Sequence, residues 1–367
     1  MEERKIQRVG KNTLTVSLPY WWARKHKLNQ GNVLCIEENY DGSLILWPRK
    51  TERGTYFMGC SINADSCDRP GLLQRLIIGG YILGADLIEI FSKNRLNYKH
   101  IKETREVLRR LLGVSVIKEN EKELILQCFL NTVNFPVHSL IRRMYTLAAS
   151  MHEESIQALL KGNRDLAKMV ITRDDEVDRM YYLLLRALSM AQRGRVFAEK
   201  LGIEGSSLEI LCLRAIGYRI ERMADWSELI AKSVLRVLAC NTQLDQKFLQ
   251  KLLKFNEACR EVHQKAIDAF FSKNLDSANE AIWKYREELE IGEGKILEQA
   301  RYKSSKCRLD TLCPHFTTIV WGLRRQAELG AEIAEIAIDM NMRLLPEIVQ
   351  IGKVDEKKFM EITYDTP

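Results

Sequence analysis

A helical pattern of apolar residues, continuing with short breaks from residue 132 to residue 343, limits the possible folds of this chain more than any other feature. Within it, apolar side chains recur every three to four positions, which is the spacing that buries one face of an α-helix. All but the last of the breaks contain glycine or asparagine, residues that commonly end or begin helices. The pattern predicts an all-α domain with six helices, at residues 136–161, 164–193, 206–240, 245–272, 277–302 and 310–343.

The two halves of this helical region are similar in sequence pattern. Residues 160–163 and residues 271–274 are corresponding breaks that both end in asparagine, and the long helical segments after them align within a residue. We therefore expect two copies of a three-helix unit, one at about residues 132–243 and the other at about residues 244–343.

Two acidic pairs lie on neighbouring helices of the first half. Asp174 and Asp178 are four positions apart, as are Glu221 and Asp225, so each pair directs two carboxylates to one side of its helix. If the helices lie antiparallel with these sides facing, the carboxylates converge and suit a cation such as Mg, Mn, Fe or Zn. A solvated acidic face is the simpler alternative. Apolar residues on the turns beside Asp225 favour a helix–helix seam, where a carboxylate needs a partner.

Residues 1–53 predict a small β-rich domain. Alternating residues around Gly10 indicate two short strands, a helix follows Pro19, and Asp41-Gly42 marks the turn of a hairpin. About fifty residues are too few to bury their own apolar faces, so we expect strands shared between two chains and hence a homodimer. Residues 1–30 contain seven basic and two acidic residues, which fits binding to a DNA backbone or merely a solubilising edge.

The order of residues across positions 4–47 resembles the AbrB/SpoVT family of swapped-hairpin DNA-binding domains. The matching stretches include residues 4–10, 15–19 and 41–44, whereas Asn32 stands where the family usually has aspartate. The resemblance implies that the N-terminal strand and turn face DNA and that the short helix contacts its backbone. The same fold also serves as a pure dimerisation module, which is the alternative. The residues implied in DNA binding are Arg4, Lys5, Arg8, Lys11, Arg24 and Lys25.

Residues 54–131 predict a small, sandwich-like α/β domain in the middle of the chain. The expected order is strand, helix, strand, helix, strand, strand, which implies a small sheet with helices on one side. No motif in this stretch points to a catalytic site.

The acidic pairs resemble the motifs of the PhoU domain. Residues 174–178 read DDEVD and residues 221–225 read ERMAD, with Ile230-Ala231 following, and the resemblance spans both halves of the helical region. It implies that the acidic motifs hold metal ions and that the protein represses phosphate acquisition when phosphate is plentiful. Together with an AbrB-like domain and an α/β middle, it resembles prokaryotic phosphate-uptake regulators. The implied partner is the ATPase of a phosphate transporter or a sensor kinase.

The second half departs from the acidic pattern. Where the first half has Glu221 and Asp225, it has Arg324 and Glu328, and Arg286 replaces an acidic residue on its second helix. Arginine has only hydrogen-bond donors and cannot ligate a metal. We therefore predict at most one metal site or cluster per chain, in the first half, and ion pairs in the second half.

Whole-chain features limit the function classes further. The chain has 367 residues and a net charge of +7, which permits an anionic partner. Its nine cysteines form no C-x-x-C pair, which favours reduced thiols in a cytoplasmic protein. We expect no signal peptide and no membrane insertion, and residues 344–367 predict a peripheral tail.

These features together predict a multidomain, cytoplasmic, dimeric and phosphate-responsive regulator that is not an enzyme. Its N-terminal domain would bind DNA, and its helical domain would bind a divalent or trivalent metal ion and a protein partner. The alternative is an adaptor that does not bind DNA and regulates a phosphate transporter or a sensor kinase by protein contact. A metallohydrolase is a third class, disfavoured by the missing second site and the missing general base.

Overall fold

A computed structural model of the protein describes residues 2–38, 42–48, 57–240, 246–289, 294 and 313–342. The chain divides into two compact units, Met1–Phe57 and Met58–Pro367. The predicted boundary between an α/β domain and a helical domain near residue 131 lies inside the second unit and stays a prediction. The predicted tail at 344–367 lies outside the described residues.

The first unit consists of two antiparallel hairpins and a short helix. Strand β1 (Gln7–Val9) pairs with β2 (Thr13–Thr15), and β3 (Leu34–Glu38) pairs with β4 (Leu44–Pro48). Helix α1 (Tyr20–Lys25) lies between the two hairpins in the sequence. The small N-terminal sheets are therefore as predicted, whereas the exchange of hairpins between two chains stays a prediction.

This unit leaves most of its apolar side chains in solvent. Among its residues whose burial the structure describes, only Pro48 is buried. Isolated hairpins are marginally stable in water, so a unit built this way needs a further surface to complete its core. The exposed large apolar residues are Ile6, Val9, Leu14, Val16, Tyr20, Trp21, Val33, Ile36, Leu44, Ile45 and Phe57.

The second unit begins with a small α/β part in the predicted element order. Its elements are β5 (Gly59–Asn63), α2 (Leu72–Ile82), β6 (Leu87–Phe91), α3 (Tyr98–Leu108), β7 (Val114–Glu119) and β8 (Glu123–Cys128). The strand order is β5-β6-β8-β7, with β5 and β6 parallel and the other pairs antiparallel. Alternate residues of β6 and β8 are buried in one cluster with α2, namely Ile88, Ile90, Leu124 and Leu126.

Long helices make up the rest of the second unit. They are α4 (Val137–Leu160), α5 (Arg164–Gln192), α6 (Ser207–Ala239), α7 (Gln246–Ser272), α8 (Leu275–Lys284) and α9 (Cys313–Asn341). One continuous cluster of buried apolar side chains runs through all of them. The mainly helical fold is therefore as predicted. The division into two three-helix repeats stays a prediction, because α6 packs against α9 as well as against α4 and α5.

Capping residues explain where several of these helices begin. The side chain of Asn163 accepts hydrogen bonds from two backbone N–H groups in the first turn of α5. At α6, Ser206 accepts from the backbone N–H of Glu209, and the Glu209 carboxylate accepts from the backbone N–H of Gly205. Each such cap stabilises a helix by about 1 kcal/mol, since it satisfies donors that the helix itself leaves unpaired.

The fifth predicted helix differs from the observed one. Asn274 caps α8 by accepting from the backbone N–H of Ser277, so the helix begins at Leu275, two residues before the predicted start at 277. A π-helical turn, Tyr285–Leu289, follows α8. Residues 295–302, where the predicted helix ends, lie outside the described residues. None of the helices that the structure describes is long and apolar enough to cross a membrane.

Buried arginines attach the α/β part to the helices. Arg186 of α5 is 1% exposed, and its Nη1 atom donates to the backbone carbonyls of Tyr81 and Ala85 at 2.8 and 2.9 Å. Arg195, just after α5, pairs with Asp86 at 2.8 Å. These bonds join the end of α2 and the turn before β6 to α5. They fix the α/β part against the helix that carries the first acidic pair.

Candidate metal centre

The two predicted acidic pairs lie on α5 and α6, which pack directly against each other. Gly217 of α6 permits this close approach, since a Cβ atom there would overlap with Leu184 of α5. Val177 of α5 and Ile220 and Ala224 of α6 are buried. The acidic residues next to them on the two helices are half-buried, which places them at the border between the apolar seam and solvent.

Three of the four predicted ligands converge at this seam. One carboxylate oxygen from each of Asp174, Asp178 and Asp225 lies within 4.8 Å of the other two. Asp174 and Asp178 come from successive turns of α5, and Asp225 comes from α6. We call these three residues, together with Glu221, the acidic cluster.

Glu221 is not one of the three converging residues, but it lies in the same negative environment. Its Oε2 atom is buried and has no hydrogen-bond partner. Burial, together with the negative charges of Asp225 and Asp178, raises the pKa of Glu221 to about 8. A buried carboxylate oxygen without a partner costs free energy, which a proton or a bound cation removes.

The other carboxyl groups of the cluster show the same excess of negative charge. Burial raises the pKa of Asp174 to about 7, and the charges of Asp225 and Asp178 contribute. Burial also raises the pKa of Asp225, although the positive charge of Arg222 opposes this effect. Carboxyl groups held this way bind either protons or a cation, because either one neutralises the site.

Two arginines offset part of the charge. Arg222 contacts the carboxylate of Asp225 from the same helix. Arg110, from the turn after α3, donates from Nη2 to Oδ2 of Asp178 at 2.7 Å. Neither Asp174 nor Glu221 has an ion pair with any residue that the structure describes. The cluster is therefore only half compensated by the chain itself.

Sequence reasoning missed both arginines, for different reasons. Arg222 precedes Asp225 by three positions, a spacing at which oppositely charged side chains on a helix commonly pair. This contact could therefore have been predicted from the sequence. Arg110 is 68 positions from Asp178 and belongs to the α/β part. No local sequence pattern predicts the contact between Arg110 and Asp178, because it depends on how the sheet packs against α5.

The donor set of the acidic cluster fits a hard or borderline cation. Carboxylate oxygens are the usual ligands of Mg and Mn, and Zn and Fe accept them as well. Asp174, Asp178 and Asp225 would supply one oxygen each, and Glu221, whose Oε2 atom is buried without a partner, would be a candidate for a further donor. Within the part of the chain that the structure describes, no second group of His, Cys, Asp or Glu residues has this geometry.

The second half carries ion pairs at the positions where the sequence predicts them. Arg324 lies 3.7 Å from Glu328 and donates to the hydroxyl of Tyr285 at 2.9 Å. Arg286 pairs with Glu335 on the facing helix α9 at 3.3 Å. In this half of the helical region, arginines therefore neutralise the neighbouring carboxylates, whereas two residues of the acidic cluster have no such partner among the residues that the structure describes.

The six predicted DNA-binding residues are exposed side chains of the first unit. Within the described residues, only Arg4 among them has an ion pair, with Glu2. The others present positive charge to solvent from the segment before β1, from β1 itself, from the turn after it and from the end of α1. The six residues are Arg4, Lys5, Arg8, Lys11, Arg24 and Lys25.

Fold and site together define a class of helical protein in which acidic motifs on two long, adjacent helices form one acid-lined seam. Residues 141–234 match the family model of the PhoU domain, so this part of the chain is similar to a PhoU domain. The matched range contains the whole of α5 and all four residues of the acidic cluster. The resemblance of residues 4–47 to the AbrB/SpoVT family stays a prediction.

Known proteins similar to this chain carry the same domain name. The phosphate-specific transport system accessory protein PhoU homolog of Clostridium acetobutylicum is 24% identical over 148 residues, which are 39% of this chain and 63% of the relative. The chain therefore spans less than two thirds of the relative's length. A crystal structure of PhoU from Pseudomonas aeruginosa has a TM-score of 0.49 at 18% identity, covering 56% of this chain and 95% of that one. The phosphate transport system regulatory protein PhoU from Streptococcus pneumoniae has a TM-score of 0.49 at 16% identity, covering 59% and 96%.

Proposed function

We propose that this protein is a non-enzymatic accessory regulator of phosphate uptake that acts in the cytoplasm by contact with a partner protein. The observation that carries the proposal is that the PhoU domain match coincides with the acidic cluster on α5 and α6. The name of the Clostridium acetobutylicum relative, an accessory protein of a phosphate-specific transport system, gives the physiological setting. The partner proposed is the ATPase of a phosphate transporter or a sensor kinase.

The second part of the proposal is that the acidic cluster holds a metal ion, with Mg, Mn, Fe and Zn as the candidates. A bound cation would neutralise carboxylates from both α5 and α6 and so favour one spacing of these helices. The unpartnered oxygen of Glu221 and the raised pKa values of Glu221 and Asp174 support this role. A partner that prefers that helix spacing would bind the metal-loaded protein more tightly.

Metal content tests this assignment directly. We expect a co-purifying metal, measured by inductively coupled plasma mass spectrometry, to be lost when Asp178→Asn and Asp225→Asn are combined. Asp165→Asn combined with Glu176→Gln is the control, because it removes two negative charges from exposed positions of the same helix α5. Equal metal content in both variants and the wild type would contradict the site.

Binding to the partner tests the regulatory role. Purified full-length protein is titrated against the transporter ATPase and the sensor kinase encoded in the same genome, with and without phosphate. We expect affinity for one of them to change with phosphate and to fall in the variant that lacks Asp178 and Asp225 carboxylates. Absence of binding to both proteins at micromolar concentrations would refute the accessory role.

A second candidate function is DNA binding by a dimer of the first unit. It is favoured by exposed basic residues, of which only Arg4 has an ion pair with a described residue, and by the exposed apolar surface of the hairpins. Fluorescence anisotropy on DNA upstream of the protein's own gene tests it, with scrambled DNA as the comparison. A specific complex weakens on replacing Arg4, Arg8 and Lys11 by Gln and loses affinity as salt rises, with a log–log slope of about −0.9 for each phosphate contact. Equal, weak binding to both DNAs would leave the accessory role alone.

A further inference from the structure

Arg110 lies where the α/β part meets the acidic cluster, on a turn that is tied firmly to the α/β core. Its backbone N–H donates to the carbonyl of Val107 at 2.8 Å, so it continues the last turn of α3. The next residue, Leu111, is buried, and the hydroxyl of Tyr81 donates to the carbonyl of Leu112 at 3.2 Å. A displacement of the Arg110 side chain therefore acts on a turn anchored in the sheet and α2.

The guanidinium of Arg110 reaches across to α5 and makes two polar contacts there. Its Nη2 atom donates to Oδ2 of Asp178 at 2.7 Å and to the hydroxyl of Tyr182 at 3.1 Å. The guanidinium carbon also lies 5.6 Å from the centre of the Tyr182 ring. The Asp178 side chain is only 13% exposed, so water screens this ion pair less than it screens a surface pair.

Arg110 thus supplies one positive charge to a site that has four acidic groups. A metal ion bound by Asp174, Asp178 and Asp225 would draw on the same Asp178 carboxylate and would be repelled by the guanidinium beside it. Two cations that share one carboxylate weaken each other's binding. The same coupling acts in both directions, because linkage between two sites is reciprocal.

We propose that Arg110 is an internal counter-cation of the acidic cluster, which competes with the bound metal ion for Asp178 and so couples the metal site to the turn after α3. This inference rests on the proposed metal site and adds its regulation by the α/β part. Metal binding loosens the contact between Arg110 and Asp178. A partner that pulls the α/β part away from α5 releases Asp178 and strengthens metal binding.

Isothermal titration calorimetry with Mn²⁺ tests the competition on the full-length, metal-stripped protein. Arg110→Met removes the positive charge and keeps a side chain of similar length. Arg109→Met is the control, because Arg109 is the adjacent residue, is exposed and has no ion pair among the described residues. We expect Arg110→Met to bind Mn²⁺ about five- to tenfold more tightly than the wild type, at the lower end of typical coupling between sites. Arg109→Met should change the affinity less than twofold, since an exposed charge is screened by salt.

The possible results separate the inference from the function it rests on. Equal or weaker Mn²⁺ binding by Arg110→Met, with the wild type still binding, overturns the counter-cation role and leaves the metal site intact. Absence of Mn²⁺ binding in the wild type and both variants overturns the metal site, and the inference with it.

A second measurement uses the wild-type chain alone, so it does not depend on how a variant folds. Hydrogen–deuterium exchange of residues 107–113 is followed with and without saturating Mn²⁺. Competition predicts faster exchange in this turn when Mn²⁺ is bound, and it predicts that Arg110→Met abolishes the difference. Unchanged or slower exchange in the wild type on adding Mn²⁺ would contradict the coupling to the turn.

Discussion

The negative charge of carboxylates is compensated differently at the seam between α5 and α6 and on the surface of α9. On α9, Glu328 lies close to two arginines, Arg324 at 3.7 Å and Arg325 at 2.9 Å. In the acidic cluster, by contrast, Asp174 and Glu221 have no ion pair with a described residue. One region is neutralised by its own side chains, whereas the other is only half neutralised by Arg222 and Arg110.

The difference follows from few substitutions. Residues 221 and 225 are Glu and Asp, whereas the predicted counterparts 324 and 328 are Arg and Glu. A single exchange of an acidic residue for arginine converts a repelling pair into an attracting one at the same helical spacing. A surface that can bind a cation thereby becomes one that is held together internally. With the metal site proposed above, cation binding and internal ion pairing would be alternative uses of the same helix positions.

The largest expected effect comes from reversing the charge of the paired surface. Arg324→Glu removes the bonds to Glu328 and to the Tyr285 hydroxyl and places two negative charges one turn apart. These groups are only half-buried, but the change replaces an attraction by a repulsion, so we expect the free energy of unfolding to fall by about 3 to 4 kcal/mol. Urea denaturation followed by circular dichroism measures it. Arg286→Glu is the control, since its pair with Glu335 is exposed and should cost less than about 1 kcal/mol. Equal losses in the two variants would contradict the distinction.

Helices α4 and α7 carry a pair of buried histidines whose ring nitrogens have hydrogen-bond partners within the chain. His152 of α4 and His263 of α7 are within hydrogen-bond distance, with 3.2 Å between His152 Nδ1 and His263 Nε2. The Nε2 atom of His152 also lies 2.9 Å from Oδ1 of Asn256, and the Nδ1 atom of His263 lies 2.9 Å from the hydroxyl of Tyr145. Burial lowers the pKa of His152 to about 4 and lowers that of His263 as well.

These histidines predict acid sensitivity. The unfolded chain takes up protons at His152 below pH of about 6.5, whereas the folded chain does so only near pH 4, so stability is lost as pH falls through that window. We expect a loss of about 3 kcal/mol from His152. The free energy of unfolding measured from pH 7 to pH 4 tests this, with His152→Gln expected to flatten the slope. His26→Gln is the control, because His26 is exposed. An unchanged slope in His152→Gln would contradict the prediction.

For the metal-free protein, the acidic cluster predicts that the free energy of unfolding falls as the pH rises. Glu221 holds its proton to about pH 8 in the folded state but loses it near pH 4.5 when unfolded, so its stabilising contribution disappears as pH rises through this range. Since Glu221 is only partly buried, we expect a loss of about 2 kcal/mol. Glu221→Gln should remove most of the loss, and Glu176→Gln, at an exposed position of α5, should not. Thermal unfolding in chelator from pH 5 to pH 9 measures it. A steep loss that persists in Glu221→Gln would assign the effect elsewhere.

The sequence predicted the helical region well because its signals are local. Apolar periodicity and the caps at Asn163 and Ser206 locate helices within a few residues, and four-residue spacing places Asp174 beside Asp178. The contacts that set the charge balance of the site are not local. Arg110 can reach Asp178 because the pairing of Arg186 with Asp86 holds the sheet against α5. Packing of this kind produces no periodic pattern in the sequence.

The smallest expected effect concerns Arg222, the one cation that α6 itself provides to the cluster. Its side chain is 40% exposed and its partner Asp225 lies three positions away, so solvent screens the pair. We expect Arg222→Met to lower the stability of the metal-free protein by about 0.5 kcal/mol. A double-mutant cycle with Asp225→Asn isolates this pair from the rest of the cluster. A coupling above about 2 kcal/mol would mean that the seam neutralises itself as α9 does. In that case a bound cation would have to displace Arg222 as well as Arg110, and the contrast between the two regions would be lost.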